Sequence, residues 1–458
     1  MGSHLVREPK YRIMNGPFPV TRFMRSASTF CFAFWLSVLA EAKTYRLSPA
    51  DNWFDLLHGN GLRPGDEVIL EAGTYSNERR LELSHVGTKQ KPIVIRAANQ
   101  ARVLFRRPDA RQNTFNLAGT QYLTIRGLEI TGGSTGIRIY KQGNRMAKFV
   151  TLEALHVHHV GGPAVTCNHE GNLYEGMIFR RNHVHHTGGH GEAFYLGANS
   201  SSDGKTQAEF FHGIIEGNYL HDLDGPNVTQ GDGIELKDGS WGNLVRDNVI
   251  HDVKYPGIIV YDADGKAPNV IEGNLIFNAA DNGIQAAADA IIRNNLIFNC
   301  KGTGIYSRDH QSAVVGNLKI LHNTVVNEGK TAFRLIAPAK GKYSGPILIA
   351  NNAFYAKVAM QIPRKDDLTF AGNAGQGSIA GGKLGRTEWK GHGNLIRDLT
   401  RNLYPRSGSI LIGAANPRYG TDKDFEGRIR NTSPNSGAYR FDAQGPAWPI
   451  QTGFKQVP

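Results

Sequence analysis

Gly231-Asp-Gly-Ile-Glu-Leu-Lys-Asp-Gly239 concentrates Asp232, Glu235, Lys237 and Asp238 within seven residues. In an extended strand alternate side chains share a face, so Glu235 and Lys237 point the same way. A lysine among carboxylates has two chemical uses. Charged, it neutralises an anion; neutral, it removes a proton, which requires a pKa well below its usual ~10.4. Glu192 and Tyr195 precede this segment, with Asn168 and His169 before them, and Tyr261 and Asp262 follow it. Together they suggest proton transfer, with Lys237 as base, Tyr261 as acid and Glu235 tuning the pair. Glu192, Asp232 and Glu235 are also hard oxygen donors of the kind calcium takes, and Asn168 is of the same type. Two carboxylates drawn from Asp232, Glu235, Asp238 and Asp262 could instead serve as a hydrolytic acid and base. An ordinary salt-bridged sheet face is the structural alternative.

Groups this scattered meet only if the chain repeats, and it does. Asn-x-hydrophobic-hydrophobic markers begin at Asn182, Asn218, Asn248, Asn274, Asn295 and Asn323. Their spacing, about 21 to 36 residues, is that of one supersecondary unit per repeat. Between markers lie short strands opened by Gly-Ile, as at Gly136, Gly233, Gly257, Gly283 and Gly304. Three short strands per repeat with polar turns make one coil of a right-handed parallel β-helix, an all-β solenoid whose coils bury their apolar faces by stacking. The marker asparagines are expected in left-handed turns, bonding to one another along the stack. His183, His185, His221 and His251 are expected in the same turns.

Residues two and four after each Gly then form two outward columns, with neighbours about 4.8 Å apart. The first reads Arg138, Thr166, Tyr195, Glu235, Ile259, Gln285, Tyr306; the second Tyr140, Asn168, Gly197, Lys237, Tyr261, Ala287, Arg308. Such a polar and aromatic strip suits an extended sugar polymer. Arg138, Tyr140, Asn168, Tyr195, Asp262, Tyr306, Arg308 and His310 are its candidate contacts, with Arg138 and Arg308 as carboxylate clamps. Pro49–His58 is predicted to be a short N-terminal capping helix with an Asp/Asn start signal. The first coil is expected near Asp66, the β-helix over 43–375, and a C-terminal extension packed on the solenoid over 376–458.

The first 42 residues are predicted to be a signal peptide with an upstream leader. Arg22 and Arg25 precede the apolar run 30–40 and the small-x-small site Ala40-Glu41-Ala42. The run is too short for a stable membrane anchor, so a secreted or periplasmic monomer without an anchor is expected. The whole chain carries a formal charge of +12, and loss of five Lys/Arg and two Asp/Glu with residues 1–42 leaves +9. That balance favours an anionic partner. The basic residues are scattered and no nucleic-acid motif is present, which argues against nucleic acid. Cys31 leaves with the signal; Cys167 and Cys300 fall about five coils, roughly 24 Å, apart, too far for a disulfide. Two buried free thiols are expected.

Leu62-Arg-Pro-Gly-Asp-Glu-Val-Ile-Leu-Glu-Ala-Gly-Thr-Tyr75 followed by Lys91-Pro-Ile-Val-Ile-Arg-Ala97 resembles the opening of secreted β-helix proteins of the pectate-lyase-like superfamily. Phe425-Glu-Gly-Arg-Ile-Arg430 and Ser436-Gly-Ala-Tyr439 resemble their ending. Glu235-x-Lys237 with Asn243-Leu-Val-Arg-Asp-Asn248 resembles the lysine strand of the chondroitinase B and alginate lyase family. The resemblance implies a polysaccharide lyase that cleaves an acidic, uronate-containing polymer by β-elimination. It also implies a lysine base at Lys237, an arginine acid one coil on, and calcium held by acidic residues. Here Tyr261 stands where that arginine is expected, and the acidic residues fall at different offsets. A glycoside hydrolase, a uronate epimerase and a non-catalytic carbohydrate-binding solenoid remain the alternatives.

Overall fold

The computed structural model describes residues 41–456, apart from 202–206, 364–366, 392–395, 399–401, 431–434 and 443–444. Up to Ala40, the expected export signal, with Arg22, Arg25 and Cys31, lies outside the described residues.

Short strands with period-two burial stack in parallel into the predicted β-helix. Among the described residues, thirteen strands form one continuous face, from Thr44–Leu47 to Leu368–Ala371. The other strands of each coil form two further stacks, exemplified by His183–His185 and Phe194–Leu196. Toward the C-terminal end these two stacks fuse, because Thr324–Leu335 and Ala353–Ile362 each run through both, with a register shift after Asn327. The first strand lies at Thr44, ahead of the start expected near Asp66, because Thr44–Leu47 pairs in register with Glu67–Leu70. Parallel pairing also runs past 375, through Asn373–Gly381 to Trp389–Gly391.

The marker asparagines do form a ladder. Each Nδ2 donates to Oδ1 of the next coil's asparagine, at 2.9 Å for Asn182 to Asn218, 2.8 Å for Asn218 to Asn248 and 2.9 Å for Asn248 to Asn274. The ladder continues through Asn295 and Asn323 to Asn352 and Asn373. All are buried, so each bond satisfies groups that would otherwise be stranded away from water. The left-handed backbone falls one residue earlier than expected, at Arg181, Gly217, Asp247, Gly273, Asn294 and His322. The preceding residue makes the bend, which frees the ladder asparagine to aim its amide along the stack. His183, His185, His221 and His251 lie on strands instead of in turns, because the marker's second to fourth residues already belong to the next strand.

The N-terminal cap is a helix of one turn, Trp53–Leu57, shorter than predicted. Asn52 sits at its N-cap without making a side-chain capping bond. Trp53 packs edge-on against Tyr75 and Phe105 and closes the open end of the core. At the other end the extension buries Leu403, Phe425, Tyr439 and Trp448 against the outward residues Val249, Leu275, Leu296 and Val326. Lys455 pins the tail through Asp247 Oδ1 at 2.6 Å and the carbonyls of Gly273 and Phe425. Cys167 and Cys300 are buried and free.

Candidate active site

Strand register brings the predicted columns together. Arg138 pairs with Thr166, Thr166 with Tyr195, Tyr195 with Glu235, Glu235 with Ile259, Ile259 with Gln285, and Gln285 with Tyr306. Residues two positions on form the second column, carried by backbone bonds from Lys237 N–H to Leu196 and from Tyr261 N–H to Leu236.

At the centre Lys237 Nζ lies 2.5 Å from Glu235 Oε1 and donates to the Tyr261 hydroxyl at 2.9 Å. That hydroxyl donates to Glu235 Oε1 at 3.0 Å, closing a triangle. The ammonium also sits 4.6 Å from the centre of the Tyr195 ring. Burial pulls the Lys237 pKa down, but the charge of Glu235 and the two tyrosines outweigh it, so the net shift is upward. Burial and Glu235 together push the Tyr261 phenol up. The resting pair is therefore an ammonium and a neutral phenol.

Beside the triangle, Glu192, Asp232 and Glu235 bring carboxylate oxygens within 4.8 Å of one another, all three buried. Both Glu192 oxygens, Asp232 Oδ1 and Glu235 Oε2 have no hydrogen-bond partner. Burial, reinforced by Glu235, raises Glu192 to about 7; burial and both neighbouring glutamates raise Asp232 well above the carboxylate range. Oxygens that are buried, convergent and unpartnered fit a hard cation such as calcium. Asn168 is half-buried in the second column, two coils before Lys237.

The centre of the strip is covered, which the expectation of an open groove did not include. Glu235, Lys237 and Tyr261 are only 2%, 4% and 3% exposed. Two loops close over them. Ser200 N–H donates to Asp238 Oδ2 at 2.8 Å, and the Ser312 side chain bonds the same carboxylate. Ala313 packs on Ile259 and Tyr261, and the His310 ring stands edge-on to Tyr261 at 4.4 Å. Burial lowers His310 to about 4, so it is neutral near pH 7. Asp262 accepts from Gly239 N–H at 3.0 Å, and burial raises it to about 6.

The flanks differ. Arg138 and Arg308 are exposed and available. Tyr140 is committed elsewhere: its hydroxyl donates to Glu82 at 2.5 Å and accepts from Arg80 at 2.7 Å. Tyr306 lies beneath two guanidiniums, Arg308 at 5.9 Å and Arg334 at 5.6 Å. Arg334 pairs with Tyr306 in the first column and was missed because its strand lacks the Gly-Ile opening. Ser200, Ser312 and Ala313 were missed as well; small loop residues carry no periodic signal.

A model of the right-handed β-helix region matches residues 175–354. The chain is a right-handed parallel β-helix protein. A chondroitinase B model matches residues 59–154, so that likeness lies in the coils before Lys237. Among solved structures, XylC in complex with xylose superposes with a TM-score of 0.50 at 9% identity, covering 88% of this chain and 99% of that one. Pectate lyase Pel9A gives 0.47 at 14% identity, covering 89% and 98%. A mannuronic-acid-specific family 6 polysaccharide lyase from human gut microbiota gives 0.46 at 16%, covering 77% and 91%. These likenesses concern the fold alone. No curated protein matches the sequence. Among the described residues, no helix is long and apolar enough to cross a membrane.

Proposed function

We propose that this solenoid is a polysaccharide lyase that cleaves a uronate-containing polymer by β-elimination. The observation that carries the reading is the buried Lys237–Tyr261–Glu235 triangle beside four unpartnered carboxylate oxygens. The chondroitinase B likeness in the preceding coils and the positive charge of the chain agree with it.

Elimination needs a base for the proton at C5, neutralisation of the adjacent carboxylate, and an acid for the leaving oxygen. Glu192, Asp232 and Glu235 are the residues that would hold calcium. A cation bound there would supply neutralisation of the sugar carboxylate. Lys237 would accept the C5 proton; its burial favours the neutral amine, against the hold of Glu235. Tyr261, a neutral phenol 2.9 Å from Nζ, would protonate the leaving oxygen on the same face. Arg138 and Arg308 would grip carboxylates of flanking sugars. The loop carrying His310 and Ser312 must lift for a chain to enter, which breaks the Ser312–Asp238 bond.

The test is ultraviolet absorbance of the protein with alginate, pectate, glycosaminoglycans and bacterial exopolysaccharides, each with and without calcium. Unsaturated uronate ends appear if the reading is right. New reducing ends without absorbance would overturn it in favour of the carboxylate pair of a hydrolase. Altered sugar configuration at constant chain length would favour an epimerase, which shares the C5 step. Binding without any change to the polymer would leave a non-catalytic solenoid.

A further inference from the structure

Eight of the chain's 17 histidines fall in four consecutive coils on the strand face that precedes the site strand: His156, His158 and His159, then His183, His185 and His186, then His221 and His251. Six of them stand in two outward columns, and His159 and His186 stack on each other at the adjoining turn. In the first, Glu129 is followed by His156, His183 and Tyr219; in the second, His158, His185, His221 and His251 are followed by Phe277. Rings in one column stack, with His156 on His183 at 4.6 Å and His158 on His185 at 5.2 Å, both nearly parallel.

Stacking alone does not require histidine. The second column continues as Phe277 on Phe298 at 4.9 Å, so the solenoid stacks phenylalanine at this position where it needs only a ring. In the coils of His156 and His183 both columns carry histidine, and the nitrogens meet diagonally between coils. His156 Nε2 lies 2.8 Å from His185 Nε2, and His183 Nε2 lies 2.7 Å from His221 Nε2. One ligand nitrogen from each of His156, His183 and His185 falls within 4.8 Å of the others. The outer nitrogen of His185 is also partnered: its Nδ1 meets His186 Nδ1 at 2.7 Å, as the second ring nitrogen of a ligating histidine usually is. The C-terminal extension covers the first column where it is apolar, from Val249 onward, and leaves His156, His183 and His185 half-exposed, with Phe454 edge-on to His183 and Thr452 bonded to Tyr219 beside them.

We propose that His156, His183 and His185 form a binding site for one divalent transition-metal ion of the zinc class, clamping two adjacent coils. Imidazole nitrogens suit such ions, whereas the all-oxygen group at Glu192, Asp232 and Glu235 suits calcium. Zinc takes nitrogen at about 2.0–2.1 Å, which sets two ligands of a tetrahedral ion about 3.3 Å apart. Opening the 2.8 Å His156–His185 spacing to that value takes only a small side-chain rotation, since the strands are held in register. Open coordination positions would remain for water or for an outside ligand. The site is independent of the lyase reading, because none of its residues lies on the site strand.

The test uses the untagged chain, stripped with chelator and titrated with Zn2+ by calorimetry, with Co2+ as a spectroscopic probe. The expected result is one tightly held Zn2+ per chain, a rise of a few degrees in Tm, and a Co2+ absorption band of tetrahedral nitrogen coordination. A large excess of Ca2+ should leave the zinc in place. His156→Gln, His183→Gln and His185→Gln should each weaken binding at least tenfold, while His251→Gln leaves it unchanged; circular dichroism verifies that each variant is folded. Absence of stoichiometric binding to the stripped chain overturns the proposal. So does zinc displaced by calcium, or zinc that is lost in His158→Gln but kept in His183→Gln, which would move the ion to Glu129, His156 and His158.

Discussion

Replacing Tyr261 with phenylalanine separates the proposed chemistry from the architecture. The ring keeps its edge-on contact with His310 at 4.4 Å and its packing with Ile259, Ala287 and Ala313, so the coil retains its shape. Only the hydroxyl is lost, with its bonds of 2.9 Å to Lys237 and 3.0 Å to Glu235. Those two partners keep each other at 2.5 Å, which limits the stability cost to about 1–3 kcal/mol. If the hydroxyl is the general acid, kcat should fall by about 10²–10⁴, or roughly 2.7–5.5 kcal/mol of barrier, with KM little changed. Lys237→Ala is a poorer test. It strands Glu235 as a buried charge, a loss of about 3–5 kcal/mol that could unfold the coil by itself. The assay is the initial rate of unsaturated-end formation on the polymer the absorbance screen identifies, beside a thermal melt of each variant. A folded Tyr261→Phe protein with kcat within about threefold of the parent would refute the role of Tyr261 and reopen the identity of the acid.

Calcium should raise the Tm of the parent and not that of Glu192→Gln, and in calcium-free buffer Glu192→Gln should be at least as stable as the parent, because it removes one of three crowded, buried carboxylates; an equal calcium response in both proteins would place the cation elsewhere. His85 is buried, its Nε2 facing Leu57 O at 2.9 Å, and desolvation lowers its pKa from 6.5 to about 4. Between those values the unfolded chain binds more protons than the folded one, so the contribution of His85 is intact above pH 6.5 and falls by about 3 kcal/mol on the way to pH 4; urea midpoints at pH 7.5 and 4.5 should differ less in His85→Gln than in the parent. Asn248→Ala interrupts the ladder at its donation to Asn274 and its acceptance from Asn218, and should cost at least about 3 kcal/mol by urea denaturation, since it strands amide groups in two neighbouring coils.

The columns were legible because period two leaves no choice. Once Gly-Ile openings are aligned, Glu235, Lys237 and Tyr261 must share a face, and a slip of one residue would bury them all in the core. The ladder was legible because an asparagine recurring once per coil meets only its own kind. Three things were not. The left-handed residue precedes each ladder asparagine and varies from Arg181 to Gly217 to Asp247, so its type carries no pattern. The histidine stack was concealed by the same markers, whose second to fourth residues are strand and not turn. The cover over Lys237 comes from Ser312 and Ala313, far along the chain, and depends on loop conformation that no repeat dictates.

The solenoid itself supplies the comparison that separates a functional strip from a structural one. One coil after Glu235 the first column holds Ile259, and one coil after Tyr261 the second holds Ala287, both buried and apolar beneath the same cover. The architecture therefore accepts apolar residues at these positions, and needs neither a charge nor a hydroxyl there to stack. Yet in the middle coils it buries a lysine and three acids and leaves four carboxylate oxygens without partners. A buried polar group left without a hydrogen bond costs about 1–3 kcal/mol, and apolar residues of similar volume in place of a buried ion pair are often neutral or stabilising. A scaffold that makes the cheaper choice in one coil and the costly one in its neighbour is holding the costly groups for something outside itself: a cation, a uronate carboxylate, or both together.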